Sequence, residues 1–336
     1  MMISKHKGQL AARFLKTAAV SQGSREVALS YIDNQRWTDG HQLKAAVDAM
    51  TLGNASSLAA DIGADFLEVV SPETLIGRIE NLRYVPFQVR TVRQTSRGAA
   101  YWVAENAPKP LSAASFSSAD ELPPRKVVAM SVISNELARA SDAEAVLLRD
   151  LAQSAAQAMD EAFIDPSNAG VPEERPSSVT YGATAIDASS NPAADVKAAT
   201  AALLASGGNL RTAAWVLHPD QAVALHLRGG AFETVGALGG SIAGIPAFTS
   251  SSVPVDSAAS PIVLLDANGI EVGGGNETSL RSSNEASILM DTDPTSENAK
   301  MVSLWHTNSI ALLAEILINW RIARPGSVVR IDGAKY

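Results

Sequence analysis

The chain has 336 residues, of which 46% are hydrophobic and 18% charged, with a net charge of −8 and no cysteine. That length exceeds the usual single-domain size of roughly 100–200 residues, so two domains, or one domain with large excursions, are expected. The composition argues against disorder, the missing cysteines exclude disulfides, thiolate metal sites and cysteine nucleophiles, and the acidic balance argues against a protein whose main task is gripping nucleic acid.

No apolar run reaches about 18 residues, and the nearest candidate, 310–318, is interrupted by Glu315, so no membrane span is expected. The start of the sequence lacks the uninterrupted apolar segment of a signal peptide. Charge is unevenly placed. Residues 1–25 carry Lys5, Lys7, Arg13, Lys16 and Arg25 with no acid, whereas 255–297 carry eight acids against Arg281 alone. Solvated faces are the ordinary reading of such a distribution, and complementary surfaces between copies the alternative if the protein assembles.

In chain order, the first 70 residues read as short amphipathic helices over 8–20, 24–34, 41–50 and 56–70. Helices this short are marginal in water and need a partner from the same chain or another copy. Residues 87–95 and 127–134 alternate as strands, which suggests a long hairpin. The stretch between them, with Trp102, Glu105, Pro108, Lys109, Pro110, Pro123 and Pro124, is too long for an ordinary turn. Ser141 and Glu144 have capping-box spacing, and Leu147, Leu151, Ala155, Met159 and Phe163 then recur every four residues up to Asp165-Pro166. A long helix over 143–164 follows. Beyond a Pro, Ser and Gly-rich loop, 194–206 reads as helix, 213–217 as a buried strand, 219–227 as a helix opened by proline, and 262–265 and 270–272 as short strands around Asn268-Gly269. Strands at 301–306, 310–321 and 327–331 close the chain.

Five separated strings in this order resemble the Hong Kong 97-type major capsid proteins of tailed phages. Trp102-Val103-Ala104-Glu105 with Lys109-Pro110 is similar to the tip of that family's extended loop, and Asn135-Glu136-Leu137 to the entry of its spine helix. Ala158-Met159-Asp160-Glu161-Ala162-Phe163 resembles the end of that helix, Gly244-Ile245-Pro246-Ala247 with Ser252-Val253-Pro254 a segment of the axial domain, and Ala323-Arg324-Pro325 with Val328-Val329 the closing strands. The resemblance implies an α+β fold with an amino-terminal arm (1–71), a peripheral domain (72–86, 127–190 and 298–336) holding the spine helix (143–164), an extended loop (87–126) and an axial α/β domain (191–297).

The function so implied is a non-enzymatic shell protein that assembles in the host bacterial cytoplasm as pentamers and hexamers into the icosahedral head of a virion. The head encloses double-stranded DNA without sequence-specific binding; portal and scaffolding or decoration proteins are its implied partners, and no cofactor, metal or membrane is. Arg90, Arg93, Arg97, Trp102, Glu105, Lys109 and Phe116 are the implied inter-subunit contacts, with Arg83 adding to the loop's basic character. Some members of the family join subunits by a lysine–asparagine isopeptide bond assisted by glutamate, and Lys109, Asn308 and Glu315 stand at the corresponding positions. Since seven residues separate the last two, a regular strand would turn them to opposite faces. An encapsulin-type compartment shares the fold and is the alternative. A hydrolase with His218 or His306 as base is the remaining one, but Gly239-Gly240-Ser241-Ile242-Ala243-Gly244 misses the nucleophile elbow at position 243, and Gly273-Gly274-Gly275-Asn276 lacks the Lys-Ser/Thr of a phosphate loop.

Overall fold

The computed structural model describes residues 7–21, 24–52, 58–96, 100–103, 105, 115–138, 143–256, 259–289 and 300–336. Its chain divides into one unit of Met1–Arg78, Lys126–Asp160 and Gly275–Leu317 and a second of Ile79–Arg125, Glu161–Gly274 and Ile318–Tyr336.

The first unit opens with α1 (Gln9–Ser21), α2 (Arg25–Gln35), α3 (Gly40–Leu52) and α4 (Leu58–Val70), close to the bounds that amphipathic spacing predicts. The four pack on one another. Ala11, Leu15 and Ala19 form the buried stripe of α1, and Ile62, Phe66 and Val70 that of α4. Asp65 of α4 caps α1, accepting from Gly8 N at 3.0 Å and Ala11 N at 2.9 Å, so two of the donors that a helix start leaves open are satisfied from 54–57 positions away. Arg13 pairs with Asp39 at 2.5 Å while its guanidinium lies over the Trp37 ring. At Gly63 an added Cβ would stand 2.2 Å from the Thr278 carbonyl oxygen, so α4 approaches that backbone only because position 63 has no side chain.

The same unit holds α5 (Leu75–Arg78), whose first N–H, from Leu75, donates to the buried Asp160 carboxylate at 2.7 Å. Next come β4 (Arg125–Ser134), α6 (Asn135–Ala138) and α7 (Ala143–Ile164). The last has the bounds predicted for the spine helix; its 22 residues make a rod of ~33 Å, and the predicted stripe from Leu147 to Phe163 is buried throughout. The later part of β11 (Ile270–Ser283), then β14 (Ser309–Ile322), then β4 form a sheet in that order. Alternation buries Ile310, Leu312, Ala314 and Ile316 on one face of β14 and leaves Leu313, Glu315 and Leu317 half-buried on the other. A small pair, β12 (Ser287–Leu289) with β13 (Met301–Ser303), completes the unit.

In the second unit β1 (Arg83–Val85) runs parallel to the first residues of β11, with Arg83 opposite Glu271. A ribbon of β2 (Thr91–Ser96) and β3 (Ser115–Ala119) stands apart as its own two-stranded sheet. The main sheet has the order β5 (Thr184–Asp187), β15 (Val328–Ala334), β10 (Ser260–Asp266), β6 (Ala213–Leu217), β9 (Ile245–Thr249), β8 (Gly239–Ile242), β7 (Val235–Gly236). Fully buried β6 lies in its middle, and Trp215, Leu217 and Leu264 share a core with Leu203 of α8 (Pro192–Ala205) and Leu225 of α9 (Pro219–Arg228). Proline opens both helices, and each is capped by the residue before it, Asn191 for α8 and His218 for α9.

Three strands depart from the sequence reading. Residues 127–134 do not pair with 87–95: β2 pairs with β3 instead, while β4, with Ala129 and Ile133 to bury, joins the larger sheet beside β14. The segment 270–272 is the start of β11, in a different sheet from β10, so Asn268-Gly269 is a crossing and not a hairpin. Lastly, β15 pairs with β10 and β5 in the main sheet, so the closing strand lies in the second unit while most of β14 lies in the first.

Asp266 organises the crossing. It is wholly buried and accepts from Thr212 Oγ1 at 2.6 Å, Asn209 N at 2.7 Å, Arg324 Nη2 at 2.5 Å and Asn268 N at 3.2 Å. Burial opposes its charge, but the hydrogen bonds from Thr212, Arg324 and Asn209 and the Arg324 charge outweigh it and hold the carboxyl below the usual carboxylate range. A depressed folded pKa gives stability that is complete above the unfolded value of about 3.9 and is lost as pH falls through the folded one. Asp266→Asn is therefore expected to cost about 2–4 kcal/mol in denaturant melts at pH 7 and to flatten the acid side of the stability curve. Gly63→Ala is expected to lower stability by about 1–3 kcal/mol in the same melts, because α4 must lift from Thr278.

Candidate assembly site

The extended loop is built on one buried charge. Glu271 is fully buried, and Nε and Nη2 of Arg321 both lie 2.7 Å from its Oε2, with Arg83 Nη1 at 3.2 Å from Oε1. The remaining hydrogen-bonding capacity of Arg321 goes to the loop: Nη2 donates to Thr91 Oγ1 at 3.0 Å and Nη1 to the Asp120 carbonyl. Thr91 opens β2 and Asp120 follows β3, so one guanidinium holds both legs of the ribbon. Just below, Gln88 N donates to the Leu122 carbonyl at 3.1 Å and Asn319 Nδ2 to the Pro123 carbonyl at 2.6 Å.

From this base the ribbon runs in register from Thr91 opposite Ala119 to Ser96 opposite Ser115, with a register shift between Gln94 and Ser96. At the described part of the tip Trp102 is fully exposed, Tyr101 and Val103 are about half exposed, and Glu105 faces solvent. Arg93 stands opposite Ser117 and Phe116 opposite Gln94 in the ribbon, while Arg97 and Lys109 lie outside the described residues. Arg90 Nε is 3.6 Å from Glu121 of the same chain, an exposed pair worth at most about 1 kcal/mol. Arg83, expected as a surface charge, is instead committed to Glu271. Its partner belongs to the acidic segment identified in the sequence, but within the same chain.

Asn308 and Glu315 lie in separate clusters. Asn308, in a left-handed turn just before β14, accepts from Asn135 Nδ2 at 2.7 Å and donates to Glu136 Oε1 at 2.9 Å. Glu315 accepts from Lys126 Nζ at 3.2 Å and Ser279 Oγ at 3.1 Å, with Arg281 Nη2 at 3.7 Å. Although burial raises its pKa, these bonds and the two cations more than compensate and lower it, so Glu315 is held as a carboxylate. Seven residues of strand separate the two by roughly 20 Å, and the carboxylate beside the Asn308 amide is Glu136. Around the Glu315 cluster the sheet face is apolar: Leu313 and Leu317 flank Glu315, and half-exposed Val128 and Met130 stand on the Lys126 side of β4.

The two histidines weighed as bases make local contacts. His218 Nδ1 accepts from Asp220 N as the α9 cap, and His306 stacks edge-on with Trp305. Among the described residues no cluster of three or more His, Cys, Asp or Glu side chains is placed to hold a metal, and no helix is long and apolar enough to cross a membrane. The residues that sequence reasoning missed are Glu271, Asn319 and Arg321; the polar pair inside the apolar string Ile318-Asn319-Trp320-Arg321-Ile322 was the available signal.

A ribbon clamped at its base with apolar side chains open to solvent is the feature of this chain that stands out from its body, and it places the protein in the class of those that display a surface. Comparison with known proteins narrows that class. Residues 75–331 match the phage capsid family, and the chain belongs to it. It is 35% identical over 318 residues to the capsid polyprotein of Pseudomonas phage PAJU2, covering 87% of this chain and 48% of that protein, so it spans about half the length of this curated relative. Solved structures from Gordonia phage Cozz (17% identity, TM-score 0.54, 79% of this chain and 86% of that one) and Mycobacterium phage Ogopogo (17%, 0.54, 78% and 92%) share the fold. It is the α+β Hong Kong 97-type capsid fold expected from the sequence.

Removing the clamp tests this geometry. Arg321→Met leaves Glu271 buried with only the partly exposed Arg83, and is expected to cost about 3–5 kcal/mol in denaturant melts. Limited proteolysis of the same variant should cut between 88 and 123 faster than in the parent chain.

Proposed function

We propose that this chain is the major capsid protein of a tailed phage, self-assembling as pentamers and hexamers into the icosahedral head that encloses the double-stranded DNA genome. The observation that carries the reading is the fully exposed Trp102 at the end of a ribbon whose base is fixed by Arg321. A two-stranded projection is marginal alone, and its apolar tip gains roughly 1.5–3 kcal/mol per side chain only when another surface covers it. The receiving surface is the outer sheet face of a neighbouring copy, where Val128, Met130, Leu313 and Leu317 surround the Lys126–Glu315–Arg281 charges. Arg90, Arg93, Glu105 and Phe116 are further candidates for the same contact, as are Arg97 and Lys109 outside the described residues. Many such contacts per shell convert weak single affinities into a stable particle.

The role is structural, its place the virion, with assembly in the host cytoplasm alongside portal and scaffolding or decoration proteins. DNA is enclosed without sequence readout, in keeping with the net charge of −8. Relatives that are phage capsid proteins support a head over a cargo compartment. Covalent locking through Lys109 and Asn308 is a subsidiary proposal, with Glu315 or Glu136 as the assisting carboxylate; boiled shells running as ladders, and Lys109→Arg abolishing them, would support it. For the main reading, negative-stain microscopy of the purified chain is expected to show closed shells or capsomers, and Trp102→Ala to reduce them at least tenfold at equal concentration. Monomers and small oligomers under every assembly condition would contradict it.

A further inference from the structure

The second unit carries an apolar cleft and, one strand away, a leucine with nothing covering it. The cleft, about 450 Å³, lies between the outer flank of α8 and the segments 231–232 and 242–243. Val196, Thr200, Leu204, Phe232, Ile242 and Ala243 line it, and Lys197 is the charged group in its wall. Leu238 is fully exposed in the turn between β7 and β8.

That turn is built to hold its leucine still. Thr249 Oγ1 donates to the Ala237 carbonyl at 2.8 Å, Thr234 Oγ1 to the Ser241 carbonyl at 2.8 Å and Ser241 N to the Thr234 carbonyl at 3.1 Å. Gly240, at φ +141°, lets the two strands close: a Cβ there would lie 2.0 Å from the Thr234 carbonyl oxygen. At the other end of β8, Ala243 holds a φ of +52° that glycine adopts more easily, and its methyl forms part of the cleft wall. An apolar side chain displayed on an already ordered turn needs little further ordering when it binds.

Leu238 cannot serve the cleft of its own chain, because β8 lies between them and spans about 13 Å. A knob and a hole displaced along one element fit successive copies head to tail, the kind of contact that closes into a ring. Residues 234–243 carry no charge, so the turn itself brings none to the cleft, whose Lys197 keeps its amine at the rim as a long side chain can. We infer that Leu238 of one copy seats in the α8 cleft of the next copy in the same ring. The inference rests on the self-assembly proposed above and names a contact separate from the extended loop.

The absence of native cysteine makes the test clean. Leu238→Cys and Ala201→Cys, the latter in the cleft wall, are introduced together into the full chain, assembled, oxidised and run on a non-reducing denaturing gel. A ladder of covalent oligomers ending at the ring size is expected, with neither single variant giving it. Shells that form normally yet run as monomers would overturn the Leu238 contact while leaving shell building intact, whereas no assembly even by the unaltered chain would overturn the self-assembly reading itself. Dimers from Leu238→Cys alone would also overturn the head-to-tail arrangement. As a second variant, Leu238→Asp alters a side chain with no intrachain burial, so its circular dichroism should match the parent while ring-sized oligomers fall at least tenfold; an unchanged yield counts against the contact.

Discussion

A carboxylate taken wholly out of water must be answered by cations or hydrogen-bond donors, and the Glu271 carboxylate is answered by Arg321 and Arg83. These residues come from β11, the end of β14 and β1, and the spare donors of Arg321 reach Thr91 and Asp120. Where the loop leaves the body is thereby decided by where Glu271 is buried. Such a cluster adds little net stability compared with a well-packed apolar one, because desolvation offsets most of its attraction. Its consequence is directional: the legs of the ribbon can leave in one way only.

The same device recurs. Asp65 caps α1, Asp160 caps α5, Asp266 gathers Thr212, Asn209 and Arg324, and Asp195 accepts from Ser189 and from the Tyr336 hydroxyl. In a chain without disulfides these carboxylates tie backbone donors to side chains far away in sequence. The arm follows this pattern. Its helices are ordered against their own chain, with Arg13 and Asp65 committed internally, while Trp102 and Leu238 are the most exposed of the large apolar side chains among the described residues.

Local signals were legible in the sequence, and non-local ones were not. The stripe from Leu147 to Phe163, ended by Asp165-Pro166, gave α7 its limits, while Ser141 of the expected capping box lies outside the described residues. Amphipathic spacing likewise gave the arm helices, and Pro219 the start of α9. The partner of a strand is not a local property: residues 127–134 alternate equally well beside 87–95 or beside β14, and only the need to bury Ala129 and Ile133 decides. Asn268-Gly269 has the chemistry of a hairpin turn, yet Asp266 draws the chain toward Asn209 and Arg324 and β11 enters another sheet. Resemblance named contact residues for the loop but gave no sign of the clamp at its base, since nothing in the spacing of Glu271 and Arg321 announces a pair fifty residues apart. Gly63 was invisible for the same reason, its constraint being the Thr278 backbone.

The central claim is that the loop is rigid at its base in the single subunit and finds burial at its tip only on assembly. Amide hydrogen exchange on the free chain and on assembled particles tests this directly. The account predicts slow exchange at Gln88 in both states, and at 100–103 fast exchange in the free chain that becomes at least tenfold slower in particles. Equal exchange at 100–103 in the two states, or free exchange at the base of the loop in the lone subunit, would contradict it.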